Sequence, residues 1–337
     1  MARRAGWRRA GSRRRFRYLD AGGGEIREKE KLERIRALAI PPAWHDVWIN
    51  PSVRAKLQAT GVDAAGRTQY LYHPDYRARQ ETAKYAKLIR FAEALPGLRE
   101  AMAAHSALEG LPEERVAAIA VRLINLGWFR VGTDRYAKSS RTFGITTLRK
   151  SHVSVRGSRI SFQYRGKHSI MVRSAIVDAE LAAAMKELLA QPGARLFQFE
   201  AEESRCNLDC RRLNDYIRAQ LGEEFTAKDF RTWGGTLLAA IEFAEHDPPE
   251  TEADAKRRVA TVMRKVAERL GNTPAVARSS YVSPAVIEQY LDGRTIDDFR
   301  PRKLRVVGAR DVGLDPEELA TLSLLRSWRI RSARAAA

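Results

Sequence analysis

The chain is poor in several features that mark whole classes of protein. It has 2 cysteines in 337 residues, which excludes a disulfide scaffold and suits a reducing compartment. No apolar run approaches the roughly 20 residues that a membrane-spanning helix needs, and the basic start lacks the apolar stretch of a secretory signal. We therefore expect a soluble, intracellular protein, long enough for two or more domains.

Acidic residues are also scarce relative to basic ones. The sequence has 60 Lys and Arg against 41 Asp and Glu, a formal net charge of +19. Most of the basic residues are Arg, whose planar guanidinium binds phosphate oxygens through two parallel hydrogen bonds. A GC-rich genome also favours Arg codons, but codon bias does not explain the imbalance of sign. The charge indicates a polyanionic partner.

Charge and pattern divide the chain into three predicted regions. Residues 1–17 contain eight Arg and no acid, and we predict a disordered basic arm that tethers a nucleic-acid backbone. Residues 18–90 combine alternating segments, DVWIN and TQYLYH, with turn signals, which predicts a small amino-terminal domain with an antiparallel sheet. Residues 91–337 are mainly helical in pattern, and Pro96-Gly97 is predicted to mark a hinge.

The larger region contains one predicted β segment among helices. Apolar residues recur at helical spacing in 116–124, 181–189 and 259–266. Between the first two, HVSVR, a Gly157-Ser158 turn and RISFQY predict a hairpin, with SIMV as a third strand. The fold class is therefore α+β, with a small antiparallel-sheet amino domain and a larger, mainly α-helical domain.

Motifs for metals and nucleotides are missing. Gly22-Gly23-Gly24 lacks the strand, helix and Lys of a phosphate loop. Cys206 and Cys210 are spaced to share a helix face, but no nearby His or Cys completes a zinc site, so buried thiols are predicted. There is no H-E-x-x-H and no D-x-D cluster. We expect no metal and no cofactor.

Five residues between 130 and 281 lie in segments that suit phosphate chemistry. They are Arg130 in FRVG, Lys167 in YRGKHS, Arg231 in KDFR, and Asn272 and Tyr281 in GNTPAVARSSY.

Each of these residues also has an ordinary structural interpretation. The two arginines could form ion pairs with Asp134 or Asp229, and Lys167 could be an exposed lysine on a turn. Tyr281 could pack at a helix start, because Ser283-Pro284 is typical of an N-cap followed by an N1 proline.

Taken together and in order, the segments resemble the type IB DNA topoisomerases, specifically the short poxvirus-like form found in bacteria. The resemblance runs from about Tyr18 to Gly293. In that family an Arg, a hairpin Lys, a K-x-x-R segment, a G-H-T-P motif and the nucleophilic Tyr follow one another in this order. The resemblance implies a catalytic domain of the tyrosine recombinase and type IB topoisomerase type, in a fold that forms a clamp around duplex DNA.

The resemblance also implies roles for individual residues. Tyr281 would be the nucleophile, Arg130 and Arg231 would stabilise the transition state, and Lys167 would be the general acid. Asn272 stands where the family usually has His, and would hydrogen-bond the phosphate without carrying a charge or a proton.

The same resemblance extends to DNA binding. IPPAWHDVWI and GRTQYLYH resemble the amino domain that clasps DNA, and Gln69, Tyr70, Tyr72 and, in the carboxy domain, Tyr136 match DNA-contacting positions. The partner implied is duplex DNA, with no membrane and no small-molecule cofactor, and the protein would act as a monomer in the cytoplasm at the nucleoid.

The chemistry that such a site performs agrees with the residue types. Two guanidiniums match the charge that gathers on the non-bridging oxygens of a phosphodiester in the transition state. A general acid is needed for the expelled 5′-oxygen. The 3′-phosphotyrosyl intermediate conserves the bond energy, so supercoiled DNA would be relaxed without ATP or metal.

Two alternatives stay open from the sequence. A tyrosine site-specific recombinase shares the covalent chemistry, but recombinases typically have H-x-x-R where this chain has Lys228-Asp229-Phe230-Arg231. A non-catalytic architectural DNA-binding protein would need only the basic surface.

Overall fold

A computed structural model describes residues 5–12, 15–202, 204–300 and 313–335. The chain divides into two compact units, Met1–Ala86 and Lys87–Ala337, a few residues before the expected boundary between 90 and 91. The first unit is built on an antiparallel sheet and the second is mainly helical. The predicted α+β class is therefore confirmed.

The described part of the first unit forms a five-stranded antiparallel sheet and one complete helix. The strand order is β2-β1-β3-β4-β5, with every pair antiparallel. The predicted segments DVWIN and TQYLYH contribute β3 and β5. The elements are β1 (Trp7–Ser12), β2 (Arg15–Leu19), α1 (Lys29–Ala37), β3 (His45–Ile49), β4 (Leu57–Val62) and β5 (Thr68–Tyr72).

Part of the predicted disordered arm forms the edge of this sheet. Residues 7–12 and 15–17 belong to β1 and β2, so disorder is wrong for them, while 1–4 and 13–14 lie outside the described residues. Trp7 is buried in a core that includes Ile35 and Ile49. The Arg9 guanidinium donates to the carbonyls of Pro41 at 3.1 Å and Trp44 at 2.5 Å. Burial of the indole and capture of one arginine by backbone carbonyls order a segment that composition alone marks as disordered.

A long helix, α2 (Pro74–Ser106), runs through the expected hinge. Pro96 lies inside it, and Gly97 continues it, so the hinge prediction is wrong. Leu95 and Leu98, on either side of this pair, are completely buried. Their packing within the second unit outweighs the cost of a proline in a helix interior.

Where the structure describes the second unit, it consists of the remaining helices and two small sheets. The predicted hairpin and its third strand are present as the antiparallel sheet β6-β7-β8. The elements are α3 (Glu113–Gly127), α4 (Asp134–Ser139), β6 (Val153–Arg156), β7 (Arg159–Arg165), β8 (Met171–Val177), α5 (Ala179–Ala190), β9 (Gln198–Ala201), β10 (Ser204–Asn207), α6 (Cys210–Leu221), α7 (Ala227–Ala244), α8 (Glu252–Leu270), α9 (Pro274–Ser280), α10 (Pro284–Leu291) and α11 (Pro316–Ala335).

The helical spacing read from the sequence marks the core faces of three helices. The apolar positions at helical spacing in α3 and α8 are all buried; they are Val116, Ile119, Ala120, Leu123 and Ile124 in α3, and Val259, Val262, Met263 and Val266 in α8. In α5 the predicted face is buried except for Leu189, which is half-buried. The most enclosed helix is α7, in which residues 230–237 are all buried. This helix carries Arg231.

A buried carboxylate in the carboxy-terminal helix α11 joins this helix to the core. Glu318 accepts hydrogen bonds from both terminal nitrogens of Arg99 in α2, at 2.7 and 2.9 Å, and from the indole nitrogen of Trp233 in α7, at 3.3 Å. Glu318 therefore links three helices at a point two residues along α7 from Arg231.

Replacing Glu318 with Ala should destabilise the protein by about 3–5 kcal/mol, because the largely buried Arg99 guanidinium loses the carboxylate that it pairs with. Urea unfolding measures the change. The matched control is Glu93→Ala, which breaks the exposed Glu93–Arg326 pair and should cost less than about 1 kcal/mol. Equal losses in the two variants would show that the Glu318 network does not stabilise the fold.

Candidate active site

Arg130 follows α3, and its side chain binds at the end of a different helix. Trp128 ends α3 in a left-handed conformation, with φ 50° and ψ 34°. The Arg130 Nη2 then donates to the carbonyl of Gly271, at 2.8 Å, and to Oδ1 of Asn272. Gly271 ends α8 and is also left-handed, with φ 60°. Arg130 is thus held at the C-terminus of α8.

Arg231 is held by the ends of both helices. It lies in α7 and is only 5% exposed. Its Nη2 donates to the carbonyl of Leu270, the last residue of α8, at 2.7 Å, and its Nη1 donates to the carbonyl of Trp128. Carbonyls at helix C-termini have no partner within the helix and carry partial negative charge. The two helix ends therefore hold both terminal nitrogens of a buried cation, and no carboxylate of the described residues pairs with it.

The two guanidiniums lie close enough to influence each other. The pKa of Arg130 is lowered, first by burial and then by the positive charge of Arg231. Among the described residues, neither arginine forms an ion pair with an Asp or Glu. The site therefore contains two adjacent cations that an anion such as a phosphate would neutralise.

The carboxylates that could have neutralised these arginines are bound elsewhere. Asp134 pairs with Arg195, at 2.6 Å. Asp229 pairs with Lys87, at 2.8 Å, and also caps α7 by accepting from the backbone nitrogen of Thr226. The structural interpretation in which Asp134 or Asp229 neutralises the two arginines is therefore wrong.

Tyr281 follows α9, and its ring lies against Arg231. The guanidinium carbon is 5.0 Å from the ring centroid, and the Tyr281 carbonyl accepts from the hydroxyl of Thr236, at 3.1 Å. Burial disfavours ionisation of the phenol. The charge and hydrogen bonding of Arg231, with the charges of Arg130 and Lys228, outweigh burial, so the pKa of Tyr281 is lowered. A phenol that ionises more easily is a better nucleophile.

Two consecutive glycines allow α7 to approach both neighbouring segments. A Cβ at Gly235 would lie 3.0 Å from Cβ and from the carbonyl oxygen of Tyr281. A Cβ at Gly234 would lie 2.3 Å from the indole nitrogen of Trp128. Glycine in a helix interior costs about 1 kcal/mol relative to Ala, and here it lets the Tyr281 segment and the end of α3 contact the helix that carries Arg231.

Asn272 contacts Arg130 through one end of its amide. Its Oδ1 accepts from the Arg130 guanidinium. Its Nδ2 is buried and has no hydrogen-bond partner among the described residues. A buried amide nitrogen without an acceptor is costly, so this N–H group is a donor available for a bound anion. The sequence did not predict the hydrogen bond by which Asn272 orients Arg130.

Lys167 lies on the connection between β7 and β8, as the predicted hairpin tip requires. It begins a short turn in which His168 and Ser169 have φ values of 59° and 61°. The side chain is exposed. In the described part of the chain, Lys167 makes no hydrogen bond or ion pair with Arg130, Arg231 or Tyr281. The structure thus brings four of the five predicted residues into one cluster and leaves Lys167 at an exposed tip.

The residues expected to bind DNA in the first unit lie on two faces of β5. Tyr70 and Tyr72 are 54% and 40% exposed, and their rings stack with centroids 6.2 Å apart. Gln69 points to the other face because successive strand residues alternate. Its Nε2 donates to Asp63 at 2.8 Å. In the second unit, Tyr136 is exposed on the short helix α4.

Tyr164 is a member of the site that the sequence analysis missed. It lies in β7, it is buried, and burial raises its pKa despite the nearby charges of Arg130 and Arg231. Alternation along RISFQYR could have placed it on the inner face with Ile160 and Phe162. The helix-end carbonyls carried no signal, since every residue has one.

Several features outside this cluster were also expected from the sequence. Cys206 lies in β10 and Cys210 begins α6, so they do not share a helix face; both are free, half-buried thiols. The described residues include no group of three or more His, Cys, Asp or Glu placed to hold a metal ion. No helix among them combines the length and the apolar character needed to cross a membrane.

Comparisons with known proteins match both units. The family described as "Eukaryotic DNA topoisomerase I, catalytic core" matches residues 73–299, and "Bacterial DNA topoisomerase IB, N-terminal domain" matches residues 15–63. The chain is 31% identical over 281 residues to "DNA topoisomerase 1B" of Acanthamoeba polyphaga mimivirus, covering 81% of this chain and 83% of that protein. It is 20% identical over 245 residues to "DNA topoisomerase I" of Monkeypox virus and to "DNA topoisomerase 1B" of Vaccinia virus (strain Copenhagen), covering 72% of this chain and 75% of each. Since the catalytic-core family matches most of its length, the chain belongs to the type IB DNA topoisomerases.

Proposed function

We propose that this chain relaxes supercoiled duplex DNA by cutting and rejoining one strand through Tyr281, without ATP or a metal ion. The observation that carries the proposal is the Tyr281 ring lying 5.0 Å from the Arg231 guanidinium carbon, with Arg130 beside it. A tyrosine whose pKa is lowered by two arginines, neither paired with a carboxylate of the described chain, is suited to attack on a phosphodiester.

The reaction is a pair of transesterifications. The Tyr281 oxygen bonds to the scissile phosphorus while the bond from phosphorus to the 5′-oxygen breaks, which leaves a 3′-phosphotyrosyl link. The neighbouring cations stabilise the phenolate, so the Tyr281 proton is lost to solvent water, and the 5′-oxygen takes a proton from Lys167. The free 5′-end rotates and then attacks the phosphotyrosine in the reverse reaction. Each step exchanges one phosphate ester bond for another, so no external source of energy is needed.

Arg130 and Arg231 stabilise the negative charge that develops on the phosphate oxygens. Their guanidiniums are fixed by the carbonyls of Gly271, Leu270 and Trp128 before DNA binds. Donors that are already oriented need no reorganisation in the transition state, and removing one typically slows a reaction about 10²–10³-fold. The unpaired Nδ2 of Asn272 acts as a further donor, and its Oδ1 helps to orient Arg130.

Lys167 is our candidate for the general acid. Its position at the exposed end of the β7–β8 connection suits a side chain that reaches the DNA once it is bound. Contact with Tyr281 in the free protein is not required, because catalytic hydrogen bonds often form only in the substrate complex.

DNA binding is assigned to both units. In the first, the stacked rings of Tyr70 and Tyr72 present an exposed aromatic surface. Gln69 donates to Asp63 in the free protein and is assigned a DNA contact in the complex. In the second, Tyr136 lies on a helix with exposed Arg135 and Lys138. We propose that both units bind one duplex in the manner of a clamp, that the protein acts as a monomer, and that it works in the cytoplasm at the nucleoid.

Supercoiled plasmid should be relaxed by the parent protein in EDTA without ATP, and Tyr281→Phe should relax none, because Phe keeps the ring against Arg231 but has no nucleophilic oxygen. Agarose gel electrophoresis measures the linking number, and circular dichroism checks that the variant is folded. Relaxation by Tyr281→Phe, or no relaxation by the parent, would contradict the proposal.

Asn272→Ala should slow cleavage roughly 10–10³-fold, as for the loss of a donor to a transition-state oxygen. Asn272→Asp separates the two contacts of this residue. It keeps the acceptor for Arg130 but loses the donor and adds a negative charge near the phosphate, so it should be at least as slow as Asn272→Ala. Single-turnover cleavage of a short duplex gives both rates. A near-parental rate in Asn272→Asp would mean that Asn272 acts only by orienting Arg130.

Lys167→Ala should slow cleavage about 10²–10⁴-fold on ordinary DNA, because the 5′-oxygen leaves without a proton. A substrate with sulfur at the bridging 5′ position should restore a near-parental rate, since a thiol has a pKa near 8.5 and leaves without protonation. His168→Asn, a change in the same turn to a residue that also tolerates a left-handed backbone, is the control and should cleave both substrates normally. An equal loss on both substrates in Lys167→Ala would exclude general-acid catalysis by this residue.

A further inference from the structure

One stretch of the second unit contains only basic charge. Between Asp134 and Asp178 the sequence has ten Lys and Arg and no acidic residue. The stretch includes α4 and the whole sheet β6-β7-β8. The proposed chemistry uses only Lys167 of these ten charges. They are Arg135, Lys138, Arg141, Arg149, Lys150, Arg156, Arg159, Arg165, Lys167 and Arg173.

The inner face of the sheet packs toward the candidate active site. Ile160, Phe162 and Tyr164 of β7 are buried. The ring of Phe162 lies 4.9 Å from that of Phe129, the residue before Arg130. Because side chains alternate along a strand, the residues between them point to the opposite face.

The outer face presents four exposed arginines: Arg156 of β6, Arg159 and Arg165 of β7, and Arg173 of β8. Among the described residues, none of the four forms an ion pair. Arg156 and Arg159 are direct cross-strand partners, and like charges in that position repel each other. A bound polyanion would remove this repulsion.

The surface of this face is hollowed and polar. Two adjoining hollows, of about 490 and 440 Å³, share Ser151, His152 and Gln163. Arg159 and Arg173 line the first. Among the residues that the structure describes, no Asp or Glu lines either hollow. From Arg159 to Arg165 the strand spans about 20 Å, close to the rise of about six base pairs along a duplex. Small hydroxyl and amide groups between arginines suit a phosphate backbone.

We propose that this outer face, formed by Arg156, Arg159, Arg165 and Arg173, binds the phosphate backbone of a second segment of duplex DNA. The inference rests on the proposed function, in which the first duplex lies at Tyr281. β7 directs Phe162 toward the Arg130 side and its arginines to the other, so the outer face is separate from the Tyr281 cluster. Only its Arg165 end adjoins the segment that follows α4. The protein would then hold two duplexes together, as at a crossing in supercoiled DNA.

The test is capture of a second duplex. The full-length protein is bound to a short biotinylated duplex on beads, excess protein is washed away, and a labelled short duplex is added over a range of salt concentrations. The variant combines Arg156→Gln, Arg159→Gln and Arg173→Gln. The matched control combines Lys186→Gln, Arg211→Gln and Arg264→Gln, which removes the same charge from exposed residues of the same unit. Arg165 is left intact because it lies close to Lys167 in the chain.

The variant should capture at least tenfold less of the second duplex than the parent, while its binding to the first duplex stays within about twofold. For the second duplex, the plot of log affinity against log salt concentration should become less steep by about two to three. Each lost phosphate contact contributes roughly 0.9 to this change. The control should behave like the parent. Capture equal to that of the parent, or an equal loss for both duplexes, would overturn the proposal. Capture of poly-glutamate by the parent that is lost in the variant, with duplex capture unchanged, would assign the face to an acidic polypeptide instead.

The same beads separate this inference from the proposed function. Formation of the Tyr281 adduct on the first duplex is measured in parallel. An adduct without second-duplex capture would overturn only the further inference. Capture of the second duplex by a parent protein that forms no adduct would overturn only the proposed chemistry and leave the outer face as a DNA-binding surface.

Discussion

Two positive charges are held side by side by the carbonyl ends of two helices, and the rest of the site depends on this arrangement. Trp128 at the end of α3, with Leu270 and Gly271 at the end of α8, accepts hydrogen bonds from Arg130 and Arg231. Carboxylates would hold the same cations more strongly, but they would also neutralise them. Helix-end carbonyls carry only partial charge, so they fix both guanidiniums and leave nearly all of their positive charge for a phosphate.

This solution constrains the surrounding backbone. Both helices must end with the chain turning sharply, and each does so through a left-handed residue, Trp128 in α3 and Gly271 in α8. Helix α7 must also approach both helix ends. A Cβ at Gly234 would collide with Trp128, and a Cβ at Gly235 would be tightly packed against Tyr281 and Leu270. The Glu318 network that joins α11 to Trp233 fixes the same part of α7 from the other side. The stability of the core and the geometry of the site are therefore properties of one helix.

Much of this could be predicted from the sequence, and the failures have physical causes. Helical and alternating patterns located most core faces, and the segment order identified Arg130, Arg231, Asn272 and Tyr281 through a family resemblance. Composition wrongly predicted disorder for the segment around Arg9. The backbone carbonyls that bind this arginine cannot be recognised in the sequence. Pro96 failed as a hinge because burial of Leu95 and Leu98 outweighs the local preference of proline. The opposite faces of Gln69 and Tyr70 were readable from strand alternation alone.

The distribution of charge follows from the same physics. A cation on the inner face of the β6-β7-β8 sheet would lose its water and would need hydrogen-bond or charge partners. The residues on that face are instead Ile160, Phe162 and Tyr164. The buried arginines nearby are held by the carbonyls at helix ends. A cation on the outer face keeps its water, so four arginines can be exposed there at little cost except their mutual repulsion. No acidic residue between Asp134 and Asp178 offsets that repulsion. Exposed arginines without an ion pair occur on all three strands of this sheet. A partner that supplies the missing anions explains them best. Thus one strand, β7, separates the two buried guanidiniums, which we propose act on a single phosphate, from the exposed arginines that we propose bind a phosphate backbone.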